Sequence, residues 1–502
     1  MLEGRKAGVL MPIFSLPGEY GIGTFSKEAY EFVDTFKRAG QTYWQILPLG
    51  PTGYGDSPYQ AFSTFAGNPY LIDLHDLISA GLLTKEECDA ADLSRCDNRV
   101  DYGKMYNGKL PLLRLSYERA KEKGELLNSE TFARFKEEEA SWLSDFSLFM
   151  ALRDRFGGGL WSTWEDEDIR LHKPEAVAWY REELKEQCRY YEYLQFVFFT
   201  QFRRWKAYAG EQGIKIIGDL PIYVAFDSAD AWSGANLFQF DENNRPLGVA
   251  GCPPDAFSAT GQLWGNPLYD WEKMKADGYE WWIKRFKAAF AMFDVIRVDH
   301  FRGFDEYYAI PFGAENAING EWKKGPGMDL FNTVKERIGD VPIIAEDLGF
   351  LTDTVRQLLK DSGYPGMKVL QFAFNPSEES IYLTHEYDRN CVVYTGTHDN
   401  DTTRGWYASM PDGDRQAALC YLNNYNTPED GIVWDYICLA LRSVANTCII
   451  PVQDYLNLGS EDRINVPSTA GGNWSFRMRP GALSDEGLIH KIWHLTKIYG
   501  RL

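Results

Sequence analysis

A short apolar run, rich in Val, Ile and Leu, that ends in a polar or charged residue and gives way to a Gly/Pro/Asp-rich turn recurs along this chain. Eight segments fit that description: 8–12, 43–49, 215–220, 295–299, 343–346, 367–372, 392–397 and 448–452. Runs of this length and type are strands buried on both faces, the mark of parallel pairing. Most follow an amphipathic helical stretch, among them 26–39, where Phe32, Val33 and Phe36 share one face, 193–210, 279–293 and 352–361. Strand and helix alternate. Eight such units predict an α/β fold of the (β/α)₈ barrel type, with a doubly wound open sheet as the competing arrangement.

Residues 50–214 separate the second and third strands, far more than one crossover needs, so an insertion is expected there, taken as 73–190. Its middle, 111–156, is rich in Glu, Lys, Leu and Ala at helical period, which predicts a mostly helical subdomain. The acidic run 165–168 inside it reads as a solvated face. Segments 48–69 and 241–270 have little regular pattern and many turn formers. Long unpatterned loops in a compact domain tend to be binding loops or lids. Both are expected over the C-terminal mouth of the barrel, with 241–270 as the lid. With no repeat, low-complexity tract or Gly/Ser-rich linker, residues 1–502 are read as one body around a single barrel.

Charge narrows the partners. Lys and Arg number 52 against 72 Asp and Glu, a formal net charge of −20, which argues against both nucleic acid and anionic membrane surfaces, since those bind through clustered cations. The eight cysteines are scattered, with no CxxC pair and no cysteine-histidine cluster at zinc spacing. No stretch approaches a membrane span, so the cytoplasm is the expected compartment.

Carboxylates close four of the strands: Asp219 in GDLPI, Asp299 in IRVDH, Glu346 in IAEDLG and Asp399 in THDND. One such residue alone is ordinarily a helix N-cap or an ion-pair partner. Four of them on barrel strands converge on one mouth, where crowded like charges are costly unless used. Side chains alternate along a strand, so Arg297 and Asp299 point the same way, into the barrel. A guanidinium beside Asp299 favours its carboxylate form and suits it to nucleophilic attack. Glu346, among apolar neighbours and close to negative charge, is expected to keep its proton, as a general acid must. Two such groups flanking one bond are the apparatus of glycosidic cleavage. Asp399 would hold sugar hydroxyls and steady the cationic transition state, with His398 and Arg297 as hydrogen-bond donors.

In order and spacing these blocks resemble the α-amylase-like barrel enzymes, and within them the amylomaltases, or 4-α-glucanotransferases. The likeness runs nearly end to end, through GVLMPIFSLPGEYGIGTF, YWQILPLGPTGYGDSPYQAFSTFAGNPYLIDL, KIIGDLPIYV, PPDAFSATGQLWGNPLYDW, IRVDHFRGF, AEDLG, GMKVLQFAF, YTGTHDNDT and RINVPSTAGGNWSFR. It implies a retaining transferase acting on maltooligosaccharides, amylose or glycogen-derived glucans, with Asp299 as nucleophile, Glu346 as acid/base and Asp399 as transition-state stabiliser. Tyr59, Asp219, Arg297 and His398 match positions that hold the sugar at the cleavage site. Ser57, Asp255, Trp264 and Asn465 match positions lining the donor and acceptor grooves. The resemblance implies no metal, no cofactor and no C-terminal β-domain. The lid block departs from the common PPDYFS at Ala256, which removes an aromatic ring from the lid tip.

Two rival readings stand beside this one. A metal-dependent hydrolase could draw ligands from His300, His398, Asp399 and Asp401, yet the first histidine is His75 and neither early strand carries one. A non-catalytic glucan-binding protein is the second rival, and retention of all three acids argues against it.

Overall fold

The computed structural model describes residues 4–93, 98–254, 258–349, 351–377, 379–428, 431–469 and 471–502. Twelve strands are found among them: β1 (Lys6–Leu10), β2 (Tyr43–Gln45), β3 (Lys215–Leu220), β4 (Gly248–Cys252), β5 (Gln262–Pro267), β6 (Val295–Val298), β7 (Glu306–Pro311), β8 (Glu321–Lys324), β9 (Ile343–Ala345), β10 (Gly366–Val369), β11 (Cys391–Tyr394) and β12 (Thr447–Pro451). Eight of them close into a barrel in the order β1-β12-β11-β10-β9-β6-β3-β2. Every pairing is parallel, and the ring shuts where Lys6 to Leu10 of β1 register with Thr447 to Pro451 of β12. Closure decides between barrel and open sheet in favour of the barrel. Each of the eight predicted runs contributes a strand to it.

Register builds the mouth in layers. Asp219 of β3 stands beside Arg297 of β6, and Arg297 beside Ile344 of β9. Two residues further along their chains, Asp299 and Glu346 continue on the same inward-facing side. Helices fill the outside: Lys27–Arg38, Glu280–Met292 and Asp353–Ser362 bury one face each against the strands. At Gly218 the packing is so close that a Cβ would lie 2.1 Å from the Phe293 ring, so the strand that carries Asp219 takes no side chain there.

The long connection from β2 to β3 holds helices Leu110–Lys123, Glu130–Glu138, Ala140–Arg155, Pro174–Glu183 and Lys185–Glu211, the last separated from β3 by a turn over 212–214. In the acidic run, Asp166 caps a short helix and accepts from Tyr180 Oη at 2.9 Å.

A second sheet was not expected. β5, β4, β7 and β8 pair antiparallel in that order, so segment 241–270 carries two strands in place of the unpatterned loop read from sequence. Glycines and a proline interrupt both (GVAGC and QLWGNP), and the register slips between Val249 and Gly251. Such residues are depleted in strands, which hides them from pattern reading. Among the described residues no helix is long and apolar enough to cross a membrane.

Candidate active site

Arg297 organises the mouth. Its Nη1 donates to both carboxylate oxygens of Asp219, at 2.8 and 2.7 Å, and its Nη2 lies 3.0 Å from Asp299 Oδ1 and 4.0 Å from Glu346 Oε2. Those last two oxygens are therefore no more than 7.0 Å apart. Burial works against the arginine charge, but Asp219, Asp299, Tyr59 and Glu346 outweigh it and hold the guanidinium well above its ordinary value. Burial also pushes the Asp219 carboxyl up, and the guanidinium of Arg297 opposes that push. We read the pair as charged, because an unpaired guanidinium in so dry a place would be costly.

Glu346 is treated differently by its surroundings. Its side chain is 12% exposed against 25% for Asp299. The His300 and Leu348 amides donate to its two oxygens at 2.7 and 3.0 Å. Burial first, and then the charge of Asp299, raise its carboxyl from 4.5 to about 7 despite Arg297 and those amides. At neutral pH a large share of Glu346 thus keeps its proton beside Asp299, the division of labour that acid-assisted displacement requires. His300, in the left-handed region with φ 48°, is pulled down to about 4 by burial and stays neutral.

A chain of polar contacts joins Asp399 to this cluster. Tyr59, whose phenol is held well above its usual range by burial and by Asp219, donates to Asp219 Oδ2 at 2.8 Å. Its single proton is thereby committed, so the 2.9 Å contact with His398 Nε2 places the donor on the imidazole. The two rings stack at 5.3 Å and 15°. His398 Nε2 also lies 3.3 Å from Asp399 Oδ2. The path Asp399, His398, Tyr59, Asp219, Arg297 thus ends on Asp299 and Glu346.

The remaining expected residues divide. Trp264, on β5, meets the His300 ring edge-on at 4.9 Å and stands beside the site. Ser57 Oγ accepts from the Tyr59 amide at 3.3 Å, shaping the turn that presents Tyr59. Asn465 donates through Nδ2 to Asp399 Oδ1 at 2.6 Å. Asp255 and Ala256 lie outside the described residues. Sequence reading missed Arg463, which donates to the Asp399 carbonyl, and Trp474, whose ring lies 5.7 Å from Tyr59 and 6.1 Å from His398. Both come from the tail after β12, where no strand end marks them; the only signal was the quoted RINVPSTAGGNWSFR block. Among the described residues no group of three or more His, Cys, Asp or Glu side chains is placed to hold a metal ion.

A closed (β/α)₈ barrel with two such carboxyl groups at its mouth belongs in class with the barrel enzymes that break glycosidic bonds. The family model for 4-alpha-glucanotransferase matches residues 11–484. A 4-alpha-glucanotransferase of Clostridium butyricum is 50% identical over 493 residues, 98% of this chain and 100% of that protein. One of Streptococcus pneumoniae is 47% identical over 507 residues, 100% of this chain and 98% of that protein. The solved structure of the amylomaltase from Streptococcus agalactiae in complex with acarbose aligns with a TM-score of 0.95 at 40% identity, covering 99% of each chain. The chain belongs to the 4-alpha-glucanotransferase family.

Proposed function

We propose that this enzyme moves α-1,4-glucan segments between maltooligosaccharides by double displacement with net retention. Asp299 attacks the anomeric carbon while Glu346 gives its proton to the departing glycosidic oxygen, leaving a β-glucosyl ester on Asp299. Glu346, now a carboxylate, takes the proton from the 4-hydroxyl of an acceptor sugar, which displaces Asp299. The observation that carries this reading is the shared Arg297 nitrogen, which keeps the two carboxyl oxygens within 7.0 Å. Retaining pairs sit about 5 to 5.5 Å apart and inverting pairs about 6.5 to 9.5 Å, so most of the inverting range is closed to this site. Asp399 steadies the positive charge that develops on the sugar, and Tyr59, Asp219, Arg297 and His398 hold the ring.

Transfer and hydrolysis share the glucosyl ester and differ in whether sugar or water reaches it. Positioned acceptors reach effective molarities of about 10⁵ to 10⁸ M, enough to outcompete solvent when water is kept out. We assign water exclusion to segments 48–69 and 241–270 as loop and lid, with Tyr59, Phe62 and Trp264 offering ring faces and Ser57 and Asn465 bordering the groove. Residues 73–190 form the helical insertion that backs them. The reading includes a cytoplasmic setting and neutral glucans as partners.

Incubation with maltotriose tests it. A ladder of longer chains plus glucose is expected; accumulation of glucose and maltose alone would make the enzyme a hydrolase, and no change would make it a binder. The pH profile follows from Glu346. With its carboxyl at about 7, kcat/KM for transfer should fall as the pH rises through about 7, because the acid form disappears. Glu346→Gln should remove most turnover on maltotriose and abolish that limb with a donor whose leaving group needs no proton. The same shift has a stability sign: the protonated form is favoured by the fold, so its contribution is complete below pH 4.5 and is lost as the pH climbs through about 7. A rate that stays flat from pH 6 to 9 would remove Glu346 from the acid role.

A further inference from the structure

Asp399 sits on the turn after β11, and its side chain is 45% exposed. Packing therefore leaves its orientation largely free, and hydrogen bonds must set it. On the carboxylate they are Asn465, from the segment after β12, and His398 Nε2, 3.3 Å from Oδ2; further bonds join that segment to the turn. Ser460 Oγ donates to Asp401 Oδ2 at 2.7 Å, Asn465 Nδ2 donates to Asp399 Oδ1 at 2.6 Å, and Arg463 Nη2 donates to the Asp399 carbonyl oxygen at 2.5 Å. Arg463 Nε meanwhile donates to the carbonyl oxygen of Asn465 at 2.6 Å. One guanidinium thus ties together two backbones: that of the carboxylate and that of the amide which orients it.

We propose that Arg463 is a positioning residue for glucan transfer, fixing Asp399 and the Asn465 amide in mutual register so that the carboxylate meets the sugar in one orientation. The proposal rests on the transition-state role given to Asp399 above. Two acceptors on separate peptides are reached at once by the rigid fork of Nε and Nη2, a geometry a lysine ammonium lacks. The link also crosses between the tails of two neighbouring barrel strands, which pair directly. Its loss would let the tail drift from the turn, taking the Asn465 donor with it. Misplacement of a reacting group by about 1 Å costs about 10²-fold in rate.

The test measures steady-state transfer for Arg463→Ala and Arg463→Lys, alone and combined with Asp399→Asn, using maltotriose and an α-glucosyl fluoride donor active enough to read slow variants. Arg463→Ala is expected to lower kcat about 10²-fold with KM changed by less than about twofold, the signature of an interaction that matters in the transition state. Arg463→Lys recovers part of the loss, and thermal unfolding midpoints stay at the wild-type value. With Asp399 already replaced by Asn, removing Arg463 should cost almost nothing more. A rise in KM with kcat intact would make Arg463 a groove contact, and equal losses in both backgrounds would make it independent of Asp399; either result overturns the proposal, as does no loss at all. Should Arg463→Ala not fold, Arg463→Lys, which keeps the charge and one of the two bonds, decides by the same comparison. If Asp399→Asn alone turns over at the wild-type rate, the role of Asp399 itself fails and the proposal with it; additive losses beside a crippled Asp399→Asn fault Arg463 alone.

Discussion

Asp299→Ala should lower turnover on maltotriose by about 10⁴-fold or more while the protein stays folded, because the covalent route proposed above loses its nucleophile. Asp299 is partly exposed and Arg297 Nη1 keeps its contacts with both Asp219 oxygens in the variant, so no buried charge is stranded. The variant also offers a sharper readout. Truncation opens space at the face of the sugar that Asp299 is proposed to attack, and azide supplied from solution can enter it when the donor is α-glucosyl fluoride. One displacement replaces two, so the product should be the β-glucosyl azide. An α-configured azide, or wild-type turnover without azide, would rule out Asp299 as the attacking group.

The second large effect lies beneath the first. Arg297→Leu should destabilise the fold by roughly 3–5 kcal/mol, since it strands the fully buried Asp219 carboxylate without its partner. Transfer should be lost as well, because Asp299 and Glu346 lose the cation they share. Arg297→Lys is expected to fall between, as one ammonium cannot span the carboxylates that the guanidinium meets. Removing both partners, Arg297→Met with Asp219→Leu, should restore much of the stability and none of the activity. Thermal or urea unfolding measures the first half of this expectation and the maltotriose ladder the second. An Arg297→Leu protein with wild-type unfolding would show that the pair contributes nothing to folding.

The barrel was legible because its strands announce themselves. Segments such as VIRVD and IIAED are apolar runs with a charge at the end, the first broken only by Arg297, and the runs give strand positions even where β2 and β9 are only three residues long. Pairing register follows from closure, and register is what sets Asp219 against Arg297. The antiparallel sheet was not legible, because β4, β5 and β7 carry Gly or Pro and the sheet takes its order from contacts across 76 residues of chain, from Gly248 of β4 to Lys324 of β8. The proton on Glu346 was readable from its apolar neighbours Ile343, Ile344 and Ala345, whereas the amides of His300 and Leu348 that oppose it were not. Arg463 and Trp474 escaped because they reach the mouth from a tail with neither strand nor helix period. Their roles depend on where the tail folds back, which is a long-range outcome.

The helix Lys185–Glu211 runs unbroken for 27 residues, about 40 Å at the usual rise, from the insertion to the turn that precedes β3. A single continuous rod makes a poor hinge. Strain or a mutation in the insertion would therefore be carried along it toward the strand that bears Asp219. Grafting the insertion of a relative onto this barrel would succeed or fail on the length and phase of that one rod.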